Sequence, residues 1–140
     1  MATVNLTSAA RNALLDRLAL LLDPTVGGAK ATVNIYSGTK PVNADAAVGA
    51  GTLLGTLTFA DPVAPSSSGG VLTMSAITQD ASADSTGTAA WARVFDASGT
   101  GVFDGTVTAT GGGGFIELNT VSIAAGGPIQ ITGMQINIPA

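Results

Sequence analysis

Short runs of alternating apolar and polar residues fill most of this 140-residue chain from residue 31 onward. A period of two places the apolar side chains on one face of a β-strand. The predicted strands are 31–37, 53–59, 71–77, 88–95, 101–108, 115–118, a short piece around 121–123, and 129–138. Turns rich in Gly, Pro and Ser separate them. This pattern predicts a mainly β protein, an antiparallel β-sandwich or jelly-roll-like domain with one N-terminal helix.

Two local features of these strands are predicted in more detail. Strands 88–95 and 101–108 flank the loop DASGT at 96–100, which predicts a β-hairpin. In the last strand, Ile129 and Ile131 have the opposite parity to Met134, Ile136 and Ile138. A β-bulge near residue 133, which is a glycine, would return both sets to one face of the sheet.

Residues 6–22 predict the helix, with Thr7 or Ser8 as N-cap and Pro24 after the last turn. The predicted apolar face consists of Ala10, Leu14, Leu15, Leu18, Leu21 and Leu22, with Asn12, Asp16 and Ala19 opposite. This face either packs on the sheet of the same chain or docks on a neighbouring subunit. We therefore divide the chain into an N-terminal helical arm, 1–28, and a β-sandwich domain, 29–140.

The composition argues against several classes of function. Cysteine and histidine are absent, so the commonest metal ligands and the commonest general base are missing. Five scattered basic residues do not make a nucleic-acid surface. Charged residues interrupt the N-terminal leucines, so we expect neither a signal peptide nor a membrane span. We therefore expect a soluble protein. With charged residues at only 10%, the surface suits contact with other proteins.

No segment carries a recognisable catalytic or metal motif, so we predict no enzyme activity, cofactor or metal. Asp96-x-Ser98-x-Thr100 and Asp80-x-Ser82-x-Asp84 begin like calcium loops, but Val107 and Trp91 occupy the position that requires Glu. Both are better interpreted as turns. The glycines at 111–114 lack a lysine and a following helix, which predicts a turn rather than a phosphate-binding loop.

The two large amphipathic aromatic residues, Trp91 and Tyr36, leave alternatives open. Either residue could pack at the edge of the core, anchor an interface or stack on a sugar. We favour a position in the core or at its edge for Trp91.

Several stretches resemble a family of small structural proteins in the virions of tailed bacteriophages. They are IYSGTKP at 35–41, GTLLGTL at 51–57, WARVFD at 91–96, VFDGTV at 102–107 and the ending from Leu118 to Pro139. Together they run along about three quarters of the chain, from near residue 31 to the end. Residues 1–28 lie outside the resemblance.

The resemblance implies a head decoration, or cement, protein. Such a protein would assemble in the host cytoplasm, form a dimer or trimer, and bind the major capsid protein on the outer surface of the expanded head. The candidate interface residues are Leu14, Leu18, Leu21, Leu22, Tyr36, Pro41, Val48, Pro62 and Pro65. Deleting residues 1–23 is expected to abolish attachment and leave the β domain folded. The alternatives are a tail, neck or collar protein, and a carbohydrate- or surface-binding module.

Overall fold

The computed structural model describes residues 4–25 and 27–140. One helix is followed by ten strands. Their bounds are α1 Ser8–Leu22, β1 Thr32–Tyr36, β2 Leu53–Phe59, β3 Val71–Thr73, β4 Ile77–Thr78, β5 Gly87–Thr88, β6 Trp91–Phe95, β7 Gly101–Ala109, β8 Ile116–Leu118, β9 Ser122–Ile123 and β10 Ile131–Asn137. The protein is mainly β and sandwich-like, with an N-terminal helix, as the sequence predicts.

Eight strands form one sheet in the order β3-β10-β8-β7-β6-β1-β2-β4, and β5 pairs separately with β9. The predicted hairpin is confirmed, with β6 and β7 antiparallel around the loop at 96–100. Its first strand begins at Trp91 and not at residue 88, because Thr88 belongs to β5 and pairs with β9. The predicted bulge is also confirmed, because the β10–β8 register shifts between Ile131 and Gly133. Ile129 and Met134 are consequently both buried, and Ile131, Ile136 and Ile138 pack against the same core.

The predicted strand 71–77 is two strands at opposite edges of the sheet. β3 pairs with β10, whereas β4 pairs with β2. Only residues 74–76 connect them, so the sheet must curl until its two edges approach each other. A two-way backbone bridge between Asp80 and Ile129 links the same regions again. The curled sheet thus encloses its apolar face.

One strand pair, β7 with β8, is parallel, which the sequence analysis did not anticipate. Parallel neighbours ordinarily need a connection of a dozen residues or more, whereas only residues 110–115 lie between these two. The tetraglycine stretch makes the short return possible. A Cβ at Gly112 or Gly114 would lie 2.7 or 2.8 Å from atoms of the Thr108 side chain, and Gly111 and Gly113 have φ of 83° and 74°.

The helix packs on the sheet of its own chain, which is one of the two predicted alternatives. The Thr7 side chain caps the helix by accepting a hydrogen bond from the Ala10 N–H, at 3.2 Å. Leu15 and Leu22 are fully buried in the same core as the inner residues of the sheet. The predicted facing of the helix is wrong in part, because Asn12, Asp16 and Ala19 lie towards the protein while Leu14 and Leu21 face outward.

Candidate functional site

Polar contacts fix the rotation of α1 about its axis. Asn12 accepts a hydrogen bond through Oδ1 from the Gly70 N–H at 2.8 Å, and Asp16 accepts one from the Ser67 N–H at 2.7 Å. The Ser67 hydroxyl donates to the Asn12 carbonyl at 3.0 Å. Hydrogen bonding of the Asp16 carboxylate to Ser67, chiefly to its backbone N–H, lowers the pKa of Asp16 from its ordinary value. The loop between β2 and β3 therefore binds the helix face that the sequence analysis assigned to solvent.

Arg11 adds a second attachment near the start of the helix. Its guanidinium donates to the Ile138 carbonyl at 3.1 Å and to the Ser8 hydroxyl at 3.1 Å. Gly70 has φ of 82°, which favours glycine, and a Cβ there would lie 3.1 Å from the Ile138 carbonyl that accepts from Arg11. The helix is thereby tied to the C-terminal end of the chain as well as to the β2–β3 loop.

This rotation exposes a row of leucines that we call the leucine stripe: Leu14, Leu18 and Leu21. Leu14 and Leu21 are each 53% exposed, and Leu18 is half-buried. Their i, i+4, i+7 spacing aligns them along one side of the helix. Leu22 is fully buried, so it does not belong to an accessible interface, because its position on the helix points it into the core.

Loop 40–51 lies over the outer face of the sheet, and Arg93 holds it there. The Arg93 guanidinium donates to the Ala46 carbonyl at 2.8 Å and to the Asn43 carbonyl at 3.4 Å. It also forms a two-point ion pair with Asp104, with nitrogen–oxygen distances of 2.6 and 2.9 Å. Hydrogen bonding to Asp104 raises the pKa of Arg93. The loop is thus anchored by a buried charge in the sheet.

Tyr36 and Trp91 are buried together under this loop. Their rings stack with centroids 4.5 Å apart, and the Trp91 indole N–H donates to the Ser37 carbonyl at 3.3 Å. A Cβ at Gly51 would lie 3.3 Å from the indole ring. Trp91 is 1% exposed, which agrees with the favoured placement in the core or at its edge. It lies with Tyr36, which is 6% exposed, between the sheet and the loop and outside the main apolar cluster. Neither ring is free to stack on a sugar or to anchor a partner.

The remaining candidate interface residues lie in the two loops. Pro62 and Pro65 are exposed, whereas Pro41 and Val48 are partly buried. Sequence reasoning missed Val42, which is 91% exposed near the start of loop 40–51. An isolated valine in a loop gives no periodic signal, so only its exposure in the fold identifies it.

The carboxylates of the two turns accept hydrogen bonds from nearby backbone N–H groups. Asp96 Oδ1 accepts from the Ser98 hydroxyl at 2.7 Å and from the N–H groups of Ser98 and Thr100, both at 2.9 Å. These contacts lower the pKa of Asp96. Asp80 likewise accepts from Ser82 and Thr56. Both segments are turns, as predicted. Across 4–25 and 27–140, no group of three or more acidic residues is placed to hold a metal ion.

A groove of about 810 Å³ crosses the outer surface next to β10. Phe115, Glu117, Thr132, Gln135 and Asn137 contribute to its lining. The two Glu117 carboxylate oxygens accept from Gly111 and Gly113 N–H at 3.1 and 3.0 Å. Both carboxylate oxygens of Glu117 are therefore already hydrogen-bonded to the glycine loop.

No family model, curated protein or solved structure matches this chain. In the part of the chain that the structure describes, no helix is long and apolar enough to cross a membrane.

Proposed function

We propose that this chain is a non-enzymatic structural protein of a tailed-phage virion, and that it decorates and stabilises the expanded head. The observation that carries the proposal is the leucine stripe, an apolar row held outward on a helix that polar contacts fix in place. The resemblance of residues 31–140 to small virion proteins supports the same function. The major capsid protein is the proposed partner, and the chain acts as a homo-oligomer, a dimer or trimer.

The stripe suits a contact that is weak in each copy and repeated many times. Covering Leu14 and Leu21 contributes roughly 1 kcal/mol each, and covering the less exposed Leu18 contributes less, because full burial of such a side chain is worth about 1.5–3 kcal/mol. Arg17, three residues after Leu14 and four before Leu21, adds one positive charge beside the stripe. The complementary surface would be apolar with an acidic rim. Binding only the expanded shell stabilises that shell by mass action.

A tail, neck or collar protein is the second proposal, because the same surface could serve at another position in the particle. The carbohydrate-binding alternative has less support. It depended on an exposed Trp91 or Tyr36, and both rings are buried.

The first prediction concerns the leucine stripe. Replacing all three leucines, as Leu14→Gln, Leu18→Gln and Leu21→Gln together, is expected to weaken binding to expanded heads about 30- to 100-fold, since about 2–3 kcal/mol of apolar contact is lost. Co-sedimentation with undecorated expanded heads measures the affinity. Leu20→Gln is the matched control, because Leu20 is 54% exposed but lies roughly 100–160° around the helix from the stripe. Unchanged binding by the triple variant would contradict the proposal.

The deletion of residues 1–23 expected from the sequence is a poor test. It would remove Leu15 and Leu22 from the core, so the remaining domain would lose stability as well as the stripe.

Gold labelling of particles with an antibody to this chain separates the two virion proposals. Label over the whole head supports decoration, label at the neck or tail supports the second proposal, and unlabelled particles contradict both.

A further inference from the structure

The segment before α1 repeats the sequence of a core strand. Residues 2–6 read ATVNL, and residues 31–35, which lead into and form most of β1, read ATVNI. The apolar residues of the second stretch are fully buried, whereas Val4, at the position that corresponds to Val33, is 76% exposed. Residues 4–7 belong to no helix or strand. The described part of this segment therefore has the sequence of an inner strand without strand pairing in its own chain.

The curled sheet leaves a gap in its wall between two closures. β3 pairs with β10 through residues 135–137, and the bridge between Asp80 and Ile129 closes the sheet again at the other end of β10. Between these closures, residues 74–77 and 131–134 line a gap of about 190 Å³, which we call the slot. The slot adjoins the larger groove beside β10, because four of its lining residues also line that groove.

Backbone groups along the slot have no strand to pair with. In the described part of the chain, the Met74 N–H and C=O have no backbone hydrogen-bond partner. The Ile77 N–H and C=O point away from β2, because the adjacent Ala76 carbonyl bonds to Ala60 on that side and the direction alternates along a strand. Exposed sheet edges are usually protected by charged residues or proline, and neither lining segment contains one. The slot is thus a sheet edge open to β-strand addition.

The wall of the slot towards the core is apolar. Met74, Ile77 and Ile131 are partly buried and pack against the core. Alternate side chains of a strand added here would face this wall, because side chains alternate between the two faces of a sheet. Val4 and Leu6 have that spacing, with the polar Asn5 between them. The exposed segment and the slot therefore have complementary patterns.

We propose that the segment before α1 of one copy adds as a strand to the slot of a second copy, with Val4 and Leu6 towards the core. The occupant is a second copy because the segment matches β1, a strand that this sheet already pairs on both sides. Each copy carries one segment and one slot, so the contact is head-to-tail. Two copies exchange segments reciprocally, or three close a ring. This inference rests on the homo-oligomer included in the proposed function and names its interface.

The second prediction concerns Val4. Val4→Asp should raise the dissociation constant of the oligomer about tenfold or more, because an unpaired charge would replace a valine that association buries. Analytical ultracentrifugation over a dilution series measures the constant. Val42→Asp is the matched control, because Val42 is 91% exposed in loop 40–51 and should keep the wild-type constant. A protein that is monomeric at every concentration, or an oligomer that Val4→Asp leaves unchanged, would overturn the proposal.

Disulfide cross-linking locates the contact without a destabilising substitution. The chain has no cysteine, so two single-cysteine variants, Asn5→Cys and Ala76→Cys, can be mixed and oxidised. Both positions are exposed, and mixing ensures that any heterodimer joins two copies. Mass spectrometry should find this heterodimer in at least about tenfold excess over the one from Asn5→Cys with Ala47→Cys, an exposed position in loop 40–51. Equal yields from the two mixtures would contradict the slot as the contact.

Both measurements use the purified protein without phage heads. Their failure would therefore remove this interface, while the leucine-stripe variant still tests head binding separately. Backbone amides of residues 4–6 that become protected from hydrogen exchange only when heads are added would also overturn the proposal, because the capsid protein would then be the partner of the segment.

Discussion

Arg93 and Asp104 show how a single residue pair organises the outer face of the sheet. They lie opposite each other on β6 and β7, and their side chains are 6% and 2% exposed. The pair satisfies the Asp104 carboxylate and leaves guanidinium N–H groups free to bind two carbonyls of loop 40–51. The alkyl part of Arg93 also lies close to Gly101, where a Cβ would approach within 3.1 Å. One buried cation therefore fixes both a hairpin and a long loop.

The third prediction follows from this pair. Asp104→Ala should lower the free energy of unfolding by about 3–5 kcal/mol, because it leaves the Arg93 charge buried without its partner. Urea unfolding measures the loss, and the exposed Asp84→Ala is the control. Replacing both residues, as Arg93→Met with Asp104→Leu, should recover much of the loss, since no buried charge remains. A loss below about 1 kcal/mol in Asp104→Ala would show that the pair is solvated and weak.

At the scale of elements, α1 is held by a polar face as much as by an apolar one. Leu15 and Leu22 enter the core, while Asn12 and Asp16 bind the loop at 67–70. The leucines that would make a simple amphipathic helix are divided between the core and the surface. Rotating the helix to bury the stripe would leave the Gly70 and Ser67 N–H groups without their acceptors. The observed facing satisfies these groups and exposes the leucines instead.

The fourth prediction distinguishes the two facings of the helix. Asn12→Leu should destabilise the protein by about 1–3 kcal/mol, because the buried Gly70 N–H loses its acceptor. A helix with Asn12 in solvent would instead tolerate this change within about 0.5 kcal/mol. Urea unfolding decides between these results, with Ala13→Leu at an exposed position as the control. Equal stabilities for the two variants would contradict the observed facing.

At the scale of the whole molecule, the acidic residues impose opposite pH dependences. Asp16 and Asp96 have lowered pKa values, so their contribution is present above about 3.8 and is lost as pH falls through their folded-state values. Burial and the neighbouring Asp61 raise the pKa of Asp23, so its contribution is lost as pH rises above about 3.8. The two effects lower the free energy of unfolding at opposite ends of the pH range.

The fifth prediction is therefore that the unfolding free energy is greatest at mildly acidic pH and falls on both sides. Urea unfolding between pH 2.5 and 8 measures the profile. Asp96→Asn should reduce the slope below pH 3.8 and leave the slope above pH 5 unchanged. A profile that rises steadily from pH 4 to 8 would contradict the sign assigned to Asp23.

The sequence by itself determined the elements of this protein. Most period-two segments became strands, although 71–77 became two; the parity slip near Gly133 became a bulge, and the 96–100 loop closed a hairpin. These outcomes depend on local backbone chemistry. The acids at 80 and 96 were recognised as turn residues for the same reason, because their partners lie within a few positions. The helix and its N-cap also followed from residues adjacent in the chain.

Only the tertiary structure decided which surfaces the protein leaves free. Which side of α1 packs against the protein depends on Ser67 and Gly70, more than fifty residues away. The burial of Tyr36 and Trp91 depends on the loop that Arg93 anchors. Periodicity reports which side of an element is apolar, but the hydrogen bonds of distant loops determine which side is covered. The leucine stripe is a consequence of that long-range pairing.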